Sequence, residues 1–331
     1  MQSTTLSRQA ALSLAALCLA ASGASAQASF STFSARQAAV RVSALKILGE
    51  SFPDQSSAAE GFSAATAPRR AAGPVVSDPN AKDDDGSTEL MRAAWNGENA
   101  RVGAILAQPG VNVDEADPFG RTALMLAAIQ GRTEAARLLL EAKADAKAVD
   151  RYGETALMHA ANLGRAKTAR ILVAGGSDVN QTDPAGDTSL MLSLTGGRVE
   201  TVDFLASVPG VKLDAKNKAG TTALIKAAQI SSHAWYLSDK DVLSVLIDRG
   251  ADKDLPGDYA DYSGNVFSGY TPLMAAAQSR NVEGVKTLLA KKVNFDYRDP
   301  ASKLTALGVA KAAGGGNQDV IDILTAWGAH E

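Results

Sequence analysis

One spacing constrains this chain more than any other property. A Thr-x-Leu tripeptide returns at Thr88, Thr122, Thr155, Thr188, Thr222, Thr271 and Thr305, at intervals of 34, 33, 33, 34, 49 and 34 residues. A glycine stands two positions before each threonine (Gly86, Gly120, Gly153, Gly186, Gly220, Gly269) until the last copy, where Lys303 takes its place. Seven copies in register call for tandem supersecondary units. Each unit is too small to bury its own apolar face, so each is stabilised by its neighbours and stability accumulates along the stack.

The second copy shows how one unit should fold. Asp117-Pro118-Phe119-Gly120 reads as a turn in which Gly120 takes a positive φ. Thr122 supplies an N-cap hydroxyl, and the position after it suits a first-turn residue, which is Pro272 in the sixth copy. Leu124, Ala127 and Ala128 then present a narrow apolar face, small enough for close helix approach, and Gly131 ends the helix in a left-handed cap. A second helix near 134–142 carries Ala135, Leu138 and Leu139 inward.

This period, with Asp-x-x-Gly-x-Thr-Ala-Leu-Met opening a unit and Gly-Ser-Asp-Val-Asn (Gly176 to Asn180) closing one, resembles the ankyrin repeat over residues 84–331. The resemblance implies an all-α solenoid of about seven helix-turn-helix units with short β-hairpin or turn fingers. The units lie near 84–116, 117–149, 150–182, 183–216, 217–257, 258–298 and 299–331. Arg92 and Asn99 in the first copy, and Lys303 and Lys311 in the last, give polar-faced caps. Where the family expects histidine, this chain has Met91, Met125, Met158, Met191, Ile225 and Met274, so apolar packing replaces a polar bridge. The next position varies: Arg92, Leu126, His159, Leu192, Lys226, Ala275 and Val309. Tolerance of three cations there places this row at the watery edge of the concave face, with His159 as an ordinary surface residue.

The residues ahead of the repeats read as an address and a spacer. Twelve small or apolar residues, Ala10 to Ala21, follow Arg8 and precede Ala24-Ser25-Ala26, the form of a signal peptide cleaved after Ala26. Twelve residues are too short to cross a hydrocarbon core of roughly 30 Å as a helix. The mature protein is therefore expected to be periplasmic or secreted, without membrane insertion. The lone Cys18 departs with residues 1–26, and the net charge moves from −3 to −4. A short amphipathic helix fits within 27–50, and 51–83, rich in Ser, Ala, Pro, Gly and Asp, reads as a flexible linker. Asp83-Asp84-Asp85 lacks the alternating ligands of a calcium loop, and Gly314-Gly315-Gly316-Asn317 lacks the Lys-Ser/Thr of a phosphate loop.

The inventory excludes much chemistry. Thirty-three basic against 36 acidic residues leave no footprint for nucleic acid. One cysteine and three histidines, His159, His233 and His330, cannot assemble a His/Cys metal cluster. With no nucleophile elbow and no paired carboxylates in matching repeats, no catalytic residue, cofactor or metal is expected, and the chain is read as a non-enzymatic monomer. The resemblance implies a protein partner held by hairpin tips and the concave side of the first helices. The matching positions are Trp95, Asn96, Phe119, Arg121, Gln130, Arg151, Tyr152, Glu154, Asn162, Leu163 and Asp187. Exported bacterial relatives accompany periplasmic catalases and support peroxide resistance, or neutralise toxins delivered by neighbouring cells, so the resemblance implies one of these settings.

The 49-residue interval adds seven residues between the helices of the fifth unit and nine to the following hairpin. These insertions carry Trp235 and Tyr236 beside His233, then Tyr259, Tyr262 and Phe267 beside Asp258 and Asp261. Aromatics are only 5% of the chain, so their concentration here suggests a second binding patch. The competing reading folds these rings back over the solenoid.

Overall fold

The computed structural model of the chain describes residues 78–195, 199–230, 241–260, 265–314 and 317–331. The expected signal peptide with Cys18, the 27–50 helix, most of the linker, and Trp235, Tyr236 and Tyr262 lie outside these residues.

Among the described residues, helices fall into seven consecutive pairs: α1 (Glu89–Asn96) with α2 (Asn99–Leu106), α3 (Ala123–Gln130) with α4 (Thr133–Glu141), α5 (Ala156–Asn162) with α6 (Ala166–Ala174), α7 (Ser189–Ser193) with α8 (Val199–Ser207), α9 (Ala223–Gln229) with α10 (Val242–Asp248), α11 (Pro272–Gln278) with α12 (Val282–Ala290), and α13 (Ala306–Ala312) with α14 (Gln318–Ala326). First helices pack on first helices and second helices on second, which builds two layers along one stack.

Local chemistry starts each pair. In all seven units the hydroxyl of the repeat threonine accepts the backbone N–H three residues on, at 3.2 to 3.4 Å. The methionine that replaces histidine does more than pack. In α1 and α5 the Sδ of Met91 and Met158 accepts the threonine's own N–H at 3.4 Å, so a polar bridge survives in sulfur form. Gly97 and Gly131 end α1 and α3 at φ of +76° and +70°.

The first helices are not buried along a narrow face. In α3 every residue from Ala123 to Ala128 is buried, because neighbouring first helices flank it and its own second helix packs against it. The second helices keep one buried stripe: Ala135, Ala136 and Leu139 in α4, with Leu138 half-buried.

A side-chain ladder ties successive units together. The polar residue closing one unit accepts the backbone N–H that opens the closing turn of the next: Asn80 from Asn112 (2.7 Å), Asp114 from Asp145 (2.8 Å), Asn180 from Lys212 (2.8 Å), Asp214 from Asp252 (2.9 Å) and Asp254 from Asn294 (2.6 Å). Lys147 holds the equivalent place after Asp114 and has no acceptor to offer. Asn80 and Lys82 fall within the expected linker, yet they bond into the end of the first unit, at Gly110 O (2.8 Å) and Ala116 O (2.9 Å).

Between the fifth and sixth units the finger lengthens into an antiparallel hairpin of β1 (Gly257–Ala260) and β2 (Val266–Tyr270), with Tyr259 opposite Phe267. Single bridges at Lys82–Thr88, Thr182–Thr188 and Lys216–Thr222 are the short version of the same finger.

Candidate functional site

The fingers rest on one repeated device. In the second, third and fourth units an aspartate at the start of the turn is buried and uses one carboxylate oxygen to accept two N–H groups of the turn. Asp117 holds Phe119 and Arg121 (both 2.8 Å), Asp150 holds Tyr152 (2.8 Å) and Glu154 (3.0 Å), and Asp183 holds Ala185 (2.8 Å) and Asp187 (2.9 Å). Gly120 sits at φ +77°, and a Cβ there would stand 2.9 Å from the backbone nitrogen of Arg151, so glycine is what lets the next finger approach. That approach is sealed by the Arg151 N–H donating to the Phe119 carbonyl at 3.0 Å.

Side chains from these two adjoining fingers converge. The Arg121 guanidinium lies 4.8 Å from the Phe119 ring centre, and Arg151 lies 5.0 Å from Phe119 and 5.1 Å from Tyr152. Phe119 is half-buried, Arg151 is exposed and Tyr152 is 38% exposed. Arg121 also pairs with Asp117 at 2.7 Å. The expected neighbourhood of Phe119, Arg121, Arg151 and Tyr152 is thus one continuous cluster.

The variable row on the first helices is a correction. It is not a watery edge: Leu126, Leu192, Ala275 and Val309 are buried, and the three cations are partly buried against carboxylates. Arg92 pairs with Asp83 and Glu89. His159 offers Nε2 to Asp150 at 3.0 Å and Nδ1 to Glu154 at 3.3 Å, and only 14% of its side chain is exposed. Both ring nitrogens face carboxylates, so the ring makes both contacts as a donor only when doubly protonated. Asp83 and Asp150 each stand nine residues before their cation, a spacing that the comparison of equivalent positions did not test. In the fifth unit the turn residue is Asn217, which carries no charge, and Lys226 reaches instead to Asp187 of the preceding finger at 2.8 Å. Asp187, expected at the partner surface, is therefore buried and occupied: 1% exposed, it also accepts from Asn217 at 2.8 Å.

Burial opposes ionisation of Asp150, but the hydrogen bond from His159 and the turn N–H groups outweigh it and hold this carboxyl below the ordinary range. Asp150, Glu154 and His159 place one possible metal-ligand atom each within 4.8 Å of one another. Each imidazole nitrogen already meets a carboxylate within this trio.

The remaining expected residues are spread out. Asn96 is exposed beside Glu98 (2.9 Å), Trp95 is half-buried, and Gln130 is half-buried at the end of α3. Asn162 accepts from Thr195 at 2.7 Å, and Leu163 is 41% exposed at the end of α5. The hairpin rings point the other way. Tyr259 is 2% exposed and its hydroxyl meets Ser279 at 3.0 Å, while Phe267 is half-buried against Tyr270 at 5.2 Å between ring centres. Neither Tyr259 nor Phe267 offers a free docking face, because β1 and β2 lay them over α9 and α11. Burial, the Asp299 carboxylate and Tyr259 push the Tyr270 phenol up to about 12. Tyr270, the third ring of this cluster, was missed because it directly precedes Thr271 and reads as part of the repeat.

A family model described as ankyrin repeats in three copies matches residues 90–183 and 232–330, more than half of the sequence. The chain belongs to the ankyrin-repeat family. Among solved structures it is similar to the ankyrin repeat domain of Bcl-3, described as a unique member of the IkappaB protein family, with 26% identity over 73% of this chain and 100% of that one and a TM-score of 0.60. It is similar also to the human ASB11 ankyrin repeat domain, with 25% identity, 71% and 97% coverage and a TM-score of 0.56. Ankyrin-repeat proteins are typically non-enzymatic interaction modules that bind protein partners. Among the described residues, no helix is long and apolar enough to cross a membrane.

Proposed function

We propose that this ankyrin chain is an exported, non-enzymatic adaptor that docks a protein partner on the fingers of its second and third units and the neighbouring first-helix ends on its concave side. The observation that carries this reading is the Phe119, Arg121, Arg151, Tyr152 cluster. Its tyrosine is left 38% exposed, while Tyr259 of the long hairpin is 2% exposed. An exposed tyrosine beside a half-buried phenylalanine and two arginines, on turns fixed by backbone hydrogen bonds, has the composition and rigidity of an interface centre. Asn96, Gln130, Asn162 and Leu163, at the ends of the first helices of the first three units, are further candidate contacts in this reading. Export rests on residues 1–26, and N-terminal sequencing of the mature protein is expected to begin at Gln27.

Placing a photo-crosslinking amino acid at position 152 tests the surface directly. One discrete adduct in the envelope fraction is expected from position 152, and none from position 170 on the second-helix side. Equal adducts from both positions, or none from 152, contradict the reading. The captured protein also separates a catalase-accessory role from a toxin-neutralising one.

A further inference from the structure

The electrostatics of the third finger show an imbalance that the stack does not need. Two acids lie beside Arg151, and neither is turned to it. Asp150 gives one oxygen to the N–H groups of Tyr152 and Glu154 and the other to His159, and Glu154 faces the second nitrogen of His159 at 3.3 Å. His159 therefore draws both local carboxylates away. On the adjoining finger Arg121 is neutralised by Asp117 at 2.7 Å. Arg151 is left exposed, without a carboxylate partner among the described residues, and held over two rings at 5.0 and 5.1 Å.

Its backbone is fixed as well, by the hydrogen bond from its N–H to Phe119 at 3.0 Å. A guanidinium placed over aromatic rings loses part of its water shell and keeps its planar N–H fork, the shape that takes a carboxylate through two parallel hydrogen bonds. Little ordering entropy remains to be lost on binding. The neighbouring rings of Phe119 and Tyr152 offer apolar contact to whatever flanks that carboxylate. We propose that this finger pair reads an acidic peptide segment of the partner, with Arg151 gripping one Asp or Glu side chain. The inference rests on the docking reading above and adds the chemistry of what is docked. A phosphate track is the poorer fit, since it is bound by many cations together and this pair of fingers presents one unpaired guanidinium.

Panning the purified full chain against phage-displayed random dodecapeptides tests it. Selected peptides are expected to be enriched in Asp and Glu by about twofold or more over the library. Synthetic copies should bind Arg151→Ala about tenfold more weakly, and Arg151→Lys several-fold more weakly because the fork is lost. Arg151→Glu should select basic peptides instead. Each variant is to keep the wild-type circular dichroism, and charge reversal separates recognition from misfolding. Peptides without acidic excess, no enriched peptide at all, or acidic peptides that bind Arg151→Ala unchanged overturn the inference. So does a 12-nucleotide single-stranded DNA that outcompetes them. If acidic selection fails while Phe119→Ala with Tyr152→Ala still abolishes partner capture, the docking surface stands and only the carboxylate chemistry falls.

Discussion

Single residues carry identifiable strain and charge in this molecule. Lys303 occupies the turn position that glycine holds in every other unit, and it adopts φ +61°, a left-handed conformation that a side chain disfavours. Lys303→Gly is expected to stabilise the chain by about 0.5–1 kcal/mol in urea unfolding. Asp150 makes the opposite kind of prediction. Its carboxyl is held below the ordinary range, so its contribution is fully present above the unfolded value of about 4 and is lost as pH falls through the folded value. Asp150→Asn keeps an oxygen for the turn, as Asn217 does naturally, but loses the negative charge that faces His159. The variant should be less stable by about 1–2 kcal/mol at pH 7, and the gap to wild type should narrow as pH falls below about 4. A gap that stays constant with pH would show that the ion pair contributes nothing.

Secondary-structure elements were legible in proportion to how local their causes are. The threonine caps and the Gly120 and Gly131 turns could be read directly, because each is decided within a few residues. The inward cations were not, because the carboxylates that draw them in, Asp83 and Asp150, stand nine residues upstream on the turn, outside the helix that carries the cation. The hairpin was misread for a related reason. Aromatic enrichment looks the same whether rings face solvent or helices, and only the strand register puts Tyr259 against Ser279. Tyr259→Ala should cost about 3–5 kcal/mol, and Tyr259→Phe about 1 kcal/mol, by thermal unfolding. The closing-turn ladder gives a gain to match. Lys147→Asp would supply the missing acceptor for the next unit and is expected to add about 0.5–1 kcal/mol.

At the scale of the whole molecule, the units act as a scaffold because none can bury its helices alone, and the site lies where two of them meet. The second and third units lack the ladder rung at Lys147, and the finger contact between Phe119 and Arg151, with Ser177 donating to the Ala146 carbonyl at 3.3 Å, ties them instead, so a surface drawn from both is positioned by the stack and not by flexible loops. Phe119→Ala combined with Tyr152→Ala removes the rings and leaves the turn aspartates, glycines and caps in place. The decisive measurement is the affinity of this double variant for the crosslinked partner, taken by calorimetry alongside its melting curve. The account predicts a loss of at least about tenfold with the melting temperature within a few degrees of wild type; unchanged affinity in a folded variant would contradict it.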